Sequence, residues 1–301
     1  MVKQRIRARA TATACGLLFD RLFGEPPAVA HPVAAFGRTM ERVEERIYRD
    51  SRATGVQYTA VGAALGYGSA VALPLPVVVA SAAAGRELRR TAAGVRDALL
   101  VDDVDRAREL VPSLVGRDPS ALDRSALAAA VIESLAENTV DAVVAPAWWA
   151  VIGGSGGAGT YRAVNTMDAM VGHRSARYTR FGWASARLDD AMNFVPARVT
   201  ALLVALVRPA TRAAVRRAVR EQAVAHPSPN AGVAEAAFAA VLGVELGGPL
   251  SYGDRAEDRP RLGWGPRPVP ADINRALTLA SHVELALVGL LLTAGLVRTS
   301  R

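Results

Sequence analysis

The chain has 301 residues, 51% hydrophobic and 21% charged, with a formal net charge of +8 and a mean hydropathy of +0.18. That balance suits a helical membrane protein or an Ala-rich helical soluble one. Lys3 is the sole lysine and Cys15 the sole cysteine, which excludes a Walker A loop, a Schiff-base lysine, an intrachain disulfide and a cysteine zinc centre. With 5% aromatics and no basic stripe interleaved with them, nucleic acid is not expected as a partner. Anionic lipid and phosphorylated small molecules fit the basic charge.

The N-terminus starts basic, Lys3 to Arg9, and Asp20 and Arg21 interrupt its apolar stretch, so it reads as mature protein and not as a signal peptide. The uncharged run Val56 to Gly85 exceeds the ~20 apolar residues a spanning helix needs. It is the clearest membrane segment, and Pro74 and Pro76 should kink it or end a first helix; the alternative is a buried Ala-rich helical hairpin of a soluble protein. Ala142–Thr160, Phe194–Val207 and Leu285–Val297 are weaker segments; the last is short unless His282 and Glu284 enter the membrane with it. Arg86–Arg124 reads as amphipathic soluble helices, and Arg208–Arg220 is strongly basic. With Lys3–Arg9 they carry the positive charge that stays cytoplasmic. Pro227–Pro270 is rich in Gly and Pro and reads as mostly loop, with a short helix over Val233–Leu242. No strand alternation persists and no repeat is visible.

Several polar groups gather beside these apolar runs. In "ESLAENTVDAVVAP", Glu133, Glu137 and Asp141 recur every four residues and share one helical face. They mark either a metal or cationic-substrate site or a solvated face before a membrane entry; Asn138 and Thr139 add hydrogen-bonding capacity. "GGSGGAG" contains G-x-G-x-x-G from Gly154 to Gly159, but it lacks the preceding strand and the following acidic residue of a dinucleotide site, so a flexible connector is expected. Asn165 and Asp168 share a face, and Arg174, Arg177 and Arg180 follow in a loop-like segment. In "RLDDAMNFVPAR", Asp189, Asp190 and Asn193 converge, Arg187 and Arg198 lie three turns apart, and Pro196 should open the helix. Hard oxygen ligands of this kind suit Mg²⁺ with substrate phosphates, and arginines suit phosphate. The alternative is a salt-bridge network capping a membrane helix. In "HPSPNAG", Ser228 and Asn230 are expected to cap the following helix, with His226 structural. The four histidines, His31, His173, His226 and His282, show no paired metal-ligand spacing.

Taken in order, "DRLFGEPPAVAHPVAAFGRTM", "ESLAENTVDAVVAP", "YRAVNTMDAMVGHRSARYTRFGWASARLDDAMNFVPAR" and "HPSPNAGVAEAAFAAVLGVELGG" closely resemble the CobD/CbiB family, the adenosylcobinamide-phosphate synthases of cobalamin biosynthesis. The resemblance covers nearly the whole chain. It departs where Gly-Asp-Pro is expected and Gly24, Glu25 and Pro26 stand, which keeps a carboxylate. It implies a mainly α, polytopic protein of the cell membrane, a single domain over residues 1–301 with amphipathic cytoplasmic helices and Gly/Pro-rich loops. It further implies an ATP-dependent amide ligase joining a propionate of adenosylcobyric acid to the amine of aminopropanol phosphate or aminopropanol. Mg²⁺ and ATP are expected, with membrane lipid and other cobalamin-pathway membrane enzymes as partners.

Residue chemistry then assigns roles within that expectation. Glu133, Glu137 and Asp141 bind the ammonium or take its proton. Asp189, Asp190 and Asn193 form the metal side. Arg180, Arg187 and Arg198 clamp phosphate, with Asn138, Asn165, Asp168, Ser228 and Asn230 binding substrate. Two rivals are a Mg²⁺-dependent intramembrane prenyltransferase, to which "DDAMN" bears a likeness, and a non-enzymatic membrane sensor or transport component. A sensor would not need "ENTVD" and "RLDD" to converge.

Overall fold

The computed structural model describes residues 2–24, 31–116, 118–173, 175–252 and 255–296; Glu25, Pro26 and Arg174 lie outside the described residues. The chain is mainly α, as expected. The helices are α1 (Val2–Phe23), α2 (Pro32–Ile47), α3 (Arg52–Ala70), α4 (Leu75–Ala82), α5 (Gly85–Leu100), α6 (Val104–Leu110), α7 (Arg124–Thr139), α8 (Ala145–Val171), α9 (Tyr178–Phe181), α10 (Trp183–Val207), α11 (Arg212–Glu221), α12 (Ala231–Leu242) and α13 (Pro270–Leu296). Local chemistry sets their ends. Ser51, Asp103 and Asp123 accept the Thr54, Arg106 and Ala126 amides at the starts of α3, α6 and α7. Pro32, Pro76, Pro146 and Pro270 sit in first turns, where a missing N–H does no harm. Gly243, left-handed at φ 66°, ends α12.

The chain divides into two compact units. The first holds Met1–Ala84, Asp141–Asn193 and Leu287–Arg301. Its centre is the packing of α3 on α8, and small residues make it possible. A Cβ at Gly66 would collide with the Ala163 side chain and the Gly159 carbonyl, and one at Gly159 would collide with Ala70 and the Gly66 carbonyl. This is the small-xxx-small packing by which helices approach closely. The Gly154–Gly159 stretch is therefore not the flexible connector expected from its composition. It is helical, inside α8, with one kink at Gly154 (φ 64°, ψ −152°) that only glycine adopts without strain. The Arg9 guanidinium, from α1, donates to the Ile152 carbonyl beside that kink.

Pro196 likewise does not open α10, which runs through it. Proline removes the N–H that the carbonyl four residues earlier would accept. Here the Met192 carbonyl instead accepts the Trp149 indole N–H at 3.1 Å, so the helix continues without an orphaned acceptor.

The second unit holds Gly85–Val140 and Phe194–Ala286. One stripe of α5, Leu88, Ala92, Val95 and Leu99, is buried at the 3-4 spacing of an amphipathic helix, and α5 packs on α7. α12 is buried nearly all round and packs on α7 and α11. The segment expected to be mostly loop contains an antiparallel hairpin, β1 (Leu246–Tyr252) and β2 (Arg255–Leu262), with an irregularity between Leu246 and Gly248. Gly247, Gly248 and Pro249 hide the strand in the sequence, because they read as turn residues.

Among the described residues, two helices are long and apolar enough to cross a membrane, α10 and α13. This reverses the order expected from sequence. The Val56–Gly85 run breaks at residues 71–74 into α3 and α4, as its prolines foretold; α4 is too short and α3 too rich in Gly, Ser and Thr to pass. The C-terminal segment instead extends back to Pro270, so His282 and Glu284 lie within α13. Glu284, 1% exposed, is paired with Arg89.

Candidate active site

A polar cluster lies inside the first unit, and three helical segments build it. Between α7 and α8 the chain makes one π-helical turn, Val140–Val144, which carries Asp141. Such single π turns widen the backbone and recur at functional sites. α8 supplies Tyr161, Arg162 and Asn165, and α10 supplies Asp189 and Asn193.

Asn165 is the hub. Its Nδ2 donates to Asp141 Oδ2 at 3.2 Å and to Asp189 Oδ1 at 3.3 Å. Asn193 Nδ2 donates to Asp189 Oδ2 at 3.0 Å. Tyr161, fully buried, donates through its hydroxyl to Asn193 Oδ1 at 2.9 Å and lies 3.3 Å from the Asp141 carbonyl. Arg162 reaches Asn165 Oδ1 at 3.4 Å. Two carboxylates from distant parts of the chain thus converge on one amide, with a guanidinium on its other side. Among the described residues, no group of three or more His, Cys, Asp or Glu side chains is arranged to hold a metal ion.

Four residues singled out by spacing, Asp141, Asn165, Asp189 and Asn193, come together here. Asp190 does not join them: it is half-exposed, 3.8 Å from the exposed Arg187. Asp168 lies on the last turn of α8, under Gly172. Arg180 is exposed, 3.9 Å from Asp50.

In the second unit the expected residues fall into separate environments. Glu133 is buried and accepts the Gly247 amide at 2.9 Å, so it fastens the hairpin to α7. Glu137 is exposed. Asn138 folds back onto Ser134 of its own helix. The three carboxylates of "ESLAENTVD" therefore do not share one environment, because one anchors a strand and the last sits in the π turn. Arg198 packs over the Phe194 ring at 3.5 Å and donates to Asn230 Oδ1 at 3.3 Å and the Pro229 carbonyl at 3.4 Å. Ser228 caps α12 through the Asn230 and Ala231 amides at 3.3 and 3.2 Å. Asn230 makes no side-chain cap; its amide oxygen is spent on Arg198. His226 accepts the Ser228 amide at 3.1 Å and lies 3.7 Å from Glu235, both side chains buried.

Sequence reasoning missed Tyr161 and Arg162. A tyrosine and an arginine beside a glycine-rich run read as core and flank. Their signal is the i, i+4 and i, i+3 spacing to Asn165. It also missed a latch on the Arg177 segment. Arg177 gives two hydrogen bonds to Glu44 of α2, at 3.2 and 2.8 Å, and Tyr178 gives a third at 3.0 Å. The Arg177 guanidinium lies 4.0 Å from the Tyr48 ring centre. Burial raises the Tyr178 pKa above its usual value.

A mainly helical chain with two candidate spans and a partly buried carboxylate–amide cluster is thus defined. The family model described as CobD/Cbib protein matches residues 13–280, and the chain belongs to that family. It is 46% identical over 293 residues to the cobalamin biosynthesis protein CobD of Mycobacterium tuberculosis (strain ATCC 25618 / H37Rv), covering 92% of this chain and 93% of that protein. It is 40% identical over 299 residues to the CobD of Rhodobacter capsulatus, covering 92% and 94%. With the CobD of Pelobacter propionicus it shares 35% over 312 residues, covering 96% of each. No solved structure matches the chain.

Proposed function

We propose that this chain acts in cobalamin biosynthesis as an ATP-dependent amide ligase of the cell membrane, joining adenosylcobyric acid to aminopropanol phosphate or aminopropanol. The products are adenosylcobinamide phosphate or cobinamide. Family membership supports the pathway. The observation that carries the reading is the meeting of "ENTVD" and "RLDD" through Asn165, which the ligase needs and a sensor does not. Candidate spans α10 and α13 support a multi-pass protein.

A carboxylate and an ammonium do not condense unaided at neutral pH. The propionate oxygen attacks the γ-phosphorus of ATP, ADP leaves, and an acyl phosphate forms. The amine then attacks the acyl carbon, the C–O bond to phosphate breaks, and inorganic phosphate leaves. The amine must first lose a proton, and Asp141 is the residue we assign to receive it. Asp189 fits the metal side, since Mg²⁺ takes one or two carboxylates plus substrate phosphates. When bound, Mg²⁺ neutralises phosphate charge there. Asn165 keeps the two carboxylates apart and aimed, and the Tyr161–Asn193 brace fixes Asp189. Arg162 offers positive charge at the oxygen end of the Asn165 amide.

The test is mass spectrometry on membranes containing the protein, with adenosylcobyric acid, aminopropanol phosphate and Mg²⁺–ATP present and each omitted in turn. A product at the mass of adenosylcobinamide phosphate, formed only with ATP, is expected. Asp189→Asn and Asp141→Asn should each lower its rate by about 10²-fold or more, the scale of a lost acid–base or charge-positioning group. No product from folded protein under any combination overturns the reading.

A further inference from the structure

The first unit contains a cavity of about 310 Å³ between α2, α3, α4 and α8, the low end of small-molecule sites. The glycines and alanines that bring α3 against α8, Gly66, Ala70, Gly159 and Ala163, also form its wall. Pro32, Val33, Phe36, Leu73, Val77 and Val78 make the rest apolar. Three hydroxyls line it, but each donates to its own helix: Ser69 to Gly66 O, Ser81 to Val77 O and Thr166 to Arg162 O. A polar ligand body would find little to bond.

Among the described residues, one charged residue lines the cavity, Arg162. Its Nε is buried with no hydrogen-bond partner, and its Asn165 contact is long, at 3.4 Å. A buried guanidinium donor left unmet calls for an explanation. The first turn of α2, through Pro32 and Val33, lines the same cavity, and the N-terminal end of a 16-residue helix favours negative charge. Apolar walls and a single cationic group define the complementary ligand.

We propose that this cavity binds an amphipathic anion, its aliphatic or aromatic body against the apolar walls and its carboxylate or phosphate-ester oxygen on Arg162. The cavity shares Arg162 with the Asn165 cluster, but the proposal does not need the ligase reading and is tested by binding alone. Two sources share the chemistry: a membrane lipid with one chain in the cavity, and a small soluble acid.

Full-length protein in detergent is titrated with octyl phosphate, octanol and inorganic phosphate by calorimetry. Octyl phosphate should bind with one-to-one stoichiometry, at least tenfold tighter than either of the others. Arg162→Gln, and separately the cavity-filling Ser81→Phe, should each weaken it at least tenfold, with Arg162→Lys falling between. Thermal unfolding identifies variants that are not folded, and Ser81→Phe keeps the test open should Arg162→Gln be one. Inorganic phosphate binding as tightly as octyl phosphate, octanol matching it, or folded Arg162→Gln and Ser81→Phe proteins binding unchanged overturns the site. Native mass spectrometry from phosphatidylglycerol nanodiscs separates the sources. A retained lipid that octyl phosphate displaces supports the membrane lipid, and octyl phosphate binding with no lipid retained supports the soluble acid.

Discussion

Asp189 and Asp190 are neighbours in sequence but about 100° apart around α10. One is 8% exposed and bonded to two asparagines; the other faces Arg187 near the surface. Asp189→Asn should therefore lower turnover at least tenfold more than Asp190→Asn, measured in the same membrane assay. His31 offers a different residue-scale effect. It accepts the Val33 amide at the start of α2 at 3.2 Å. Burial, and secondarily the charge of Arg162, holds its pKa below the usual 6.5. In the unfolded chain it takes a proton near pH 6.5, so protons bind the unfolded state first. The folded protein is at full stability above that pH and loses stability as pH falls below it, until the folded imidazole is itself protonated. Between pH 7.5 and 5 the midpoint of thermal unfolding should fall further in the wild type than in His31→Asn. Asparagine keeps a side-chain acceptor for the cap but does not titrate. An equal fall in both proteins would remove His31 as the cause.

At the scale of elements, close approach governs the first unit. Gly66→Leu should destabilise it by about 1–3 kcal/mol or more, because the added side chain meets backbone and Cβ atoms that have no free space. Trp149→Phe leaves the Met192 carbonyl without its donor inside α10 and should cost about 1 kcal/mol; both are read from denaturation midpoints. The same elements show what the sequence made legible. Helix character, the break at Pro74 and the polar spacing of Asn165, Asp189 and Asn193 were readable, because each depends on local chemistry or on one helix's periodicity. The helical state of Gly154–Gly159 was not. Glycine reads as loop until its partner helix is known, and the partner face, Gly66 and Ala70, lies ninety residues away. The hairpin was hidden for a related reason, since the backbone of Gly247 is fixed by the buried Glu133, a contact that no spacing encodes. Asp141 was legible as a carboxylate on a helix but not as one carried by a π turn. Tyr161, beside a glycine-rich run, was not legible because the burial of its hydroxyl depends on Asn193.

At the scale of the whole molecule, the excess of arginine is uneven, and the unevenness bears on how the chain sits in a bilayer. α10 ends at Val207, and Arg208, Arg212, Arg216, Arg217 and Arg220 follow within one turn and a helix. Glu221 is the one acid beside them, and Arg217 is paired to it at 2.9 Å. α11 buries only Val215 and Ala218, which leaves Arg212, Arg216, Arg217 and Arg220 exposed. Arginine clustered within ~15–20 residues of a span stays on the cytoplasmic side. If α10 crosses the membrane, as the proposed function holds, its C-terminal end and α11 face the cytoplasm. The single cysteine makes this measurable. In a Cys15→Ser background, a cysteine placed at Arg216 should react with a membrane-impermeant maleimide in inverted vesicles and not in intact spheroplasts. A cysteine at Leu202, 70% exposed on the apolar face of α10, should resist the reagent from both sides, since lipid would cover it. Ready labelling of Leu202→Cys in either preparation would mean that α10 is not lipid-embedded there, and its apolar face would then need another cover. Labelling of Arg216→Cys only in spheroplasts would invert the chain and place the arginines against the charge rule.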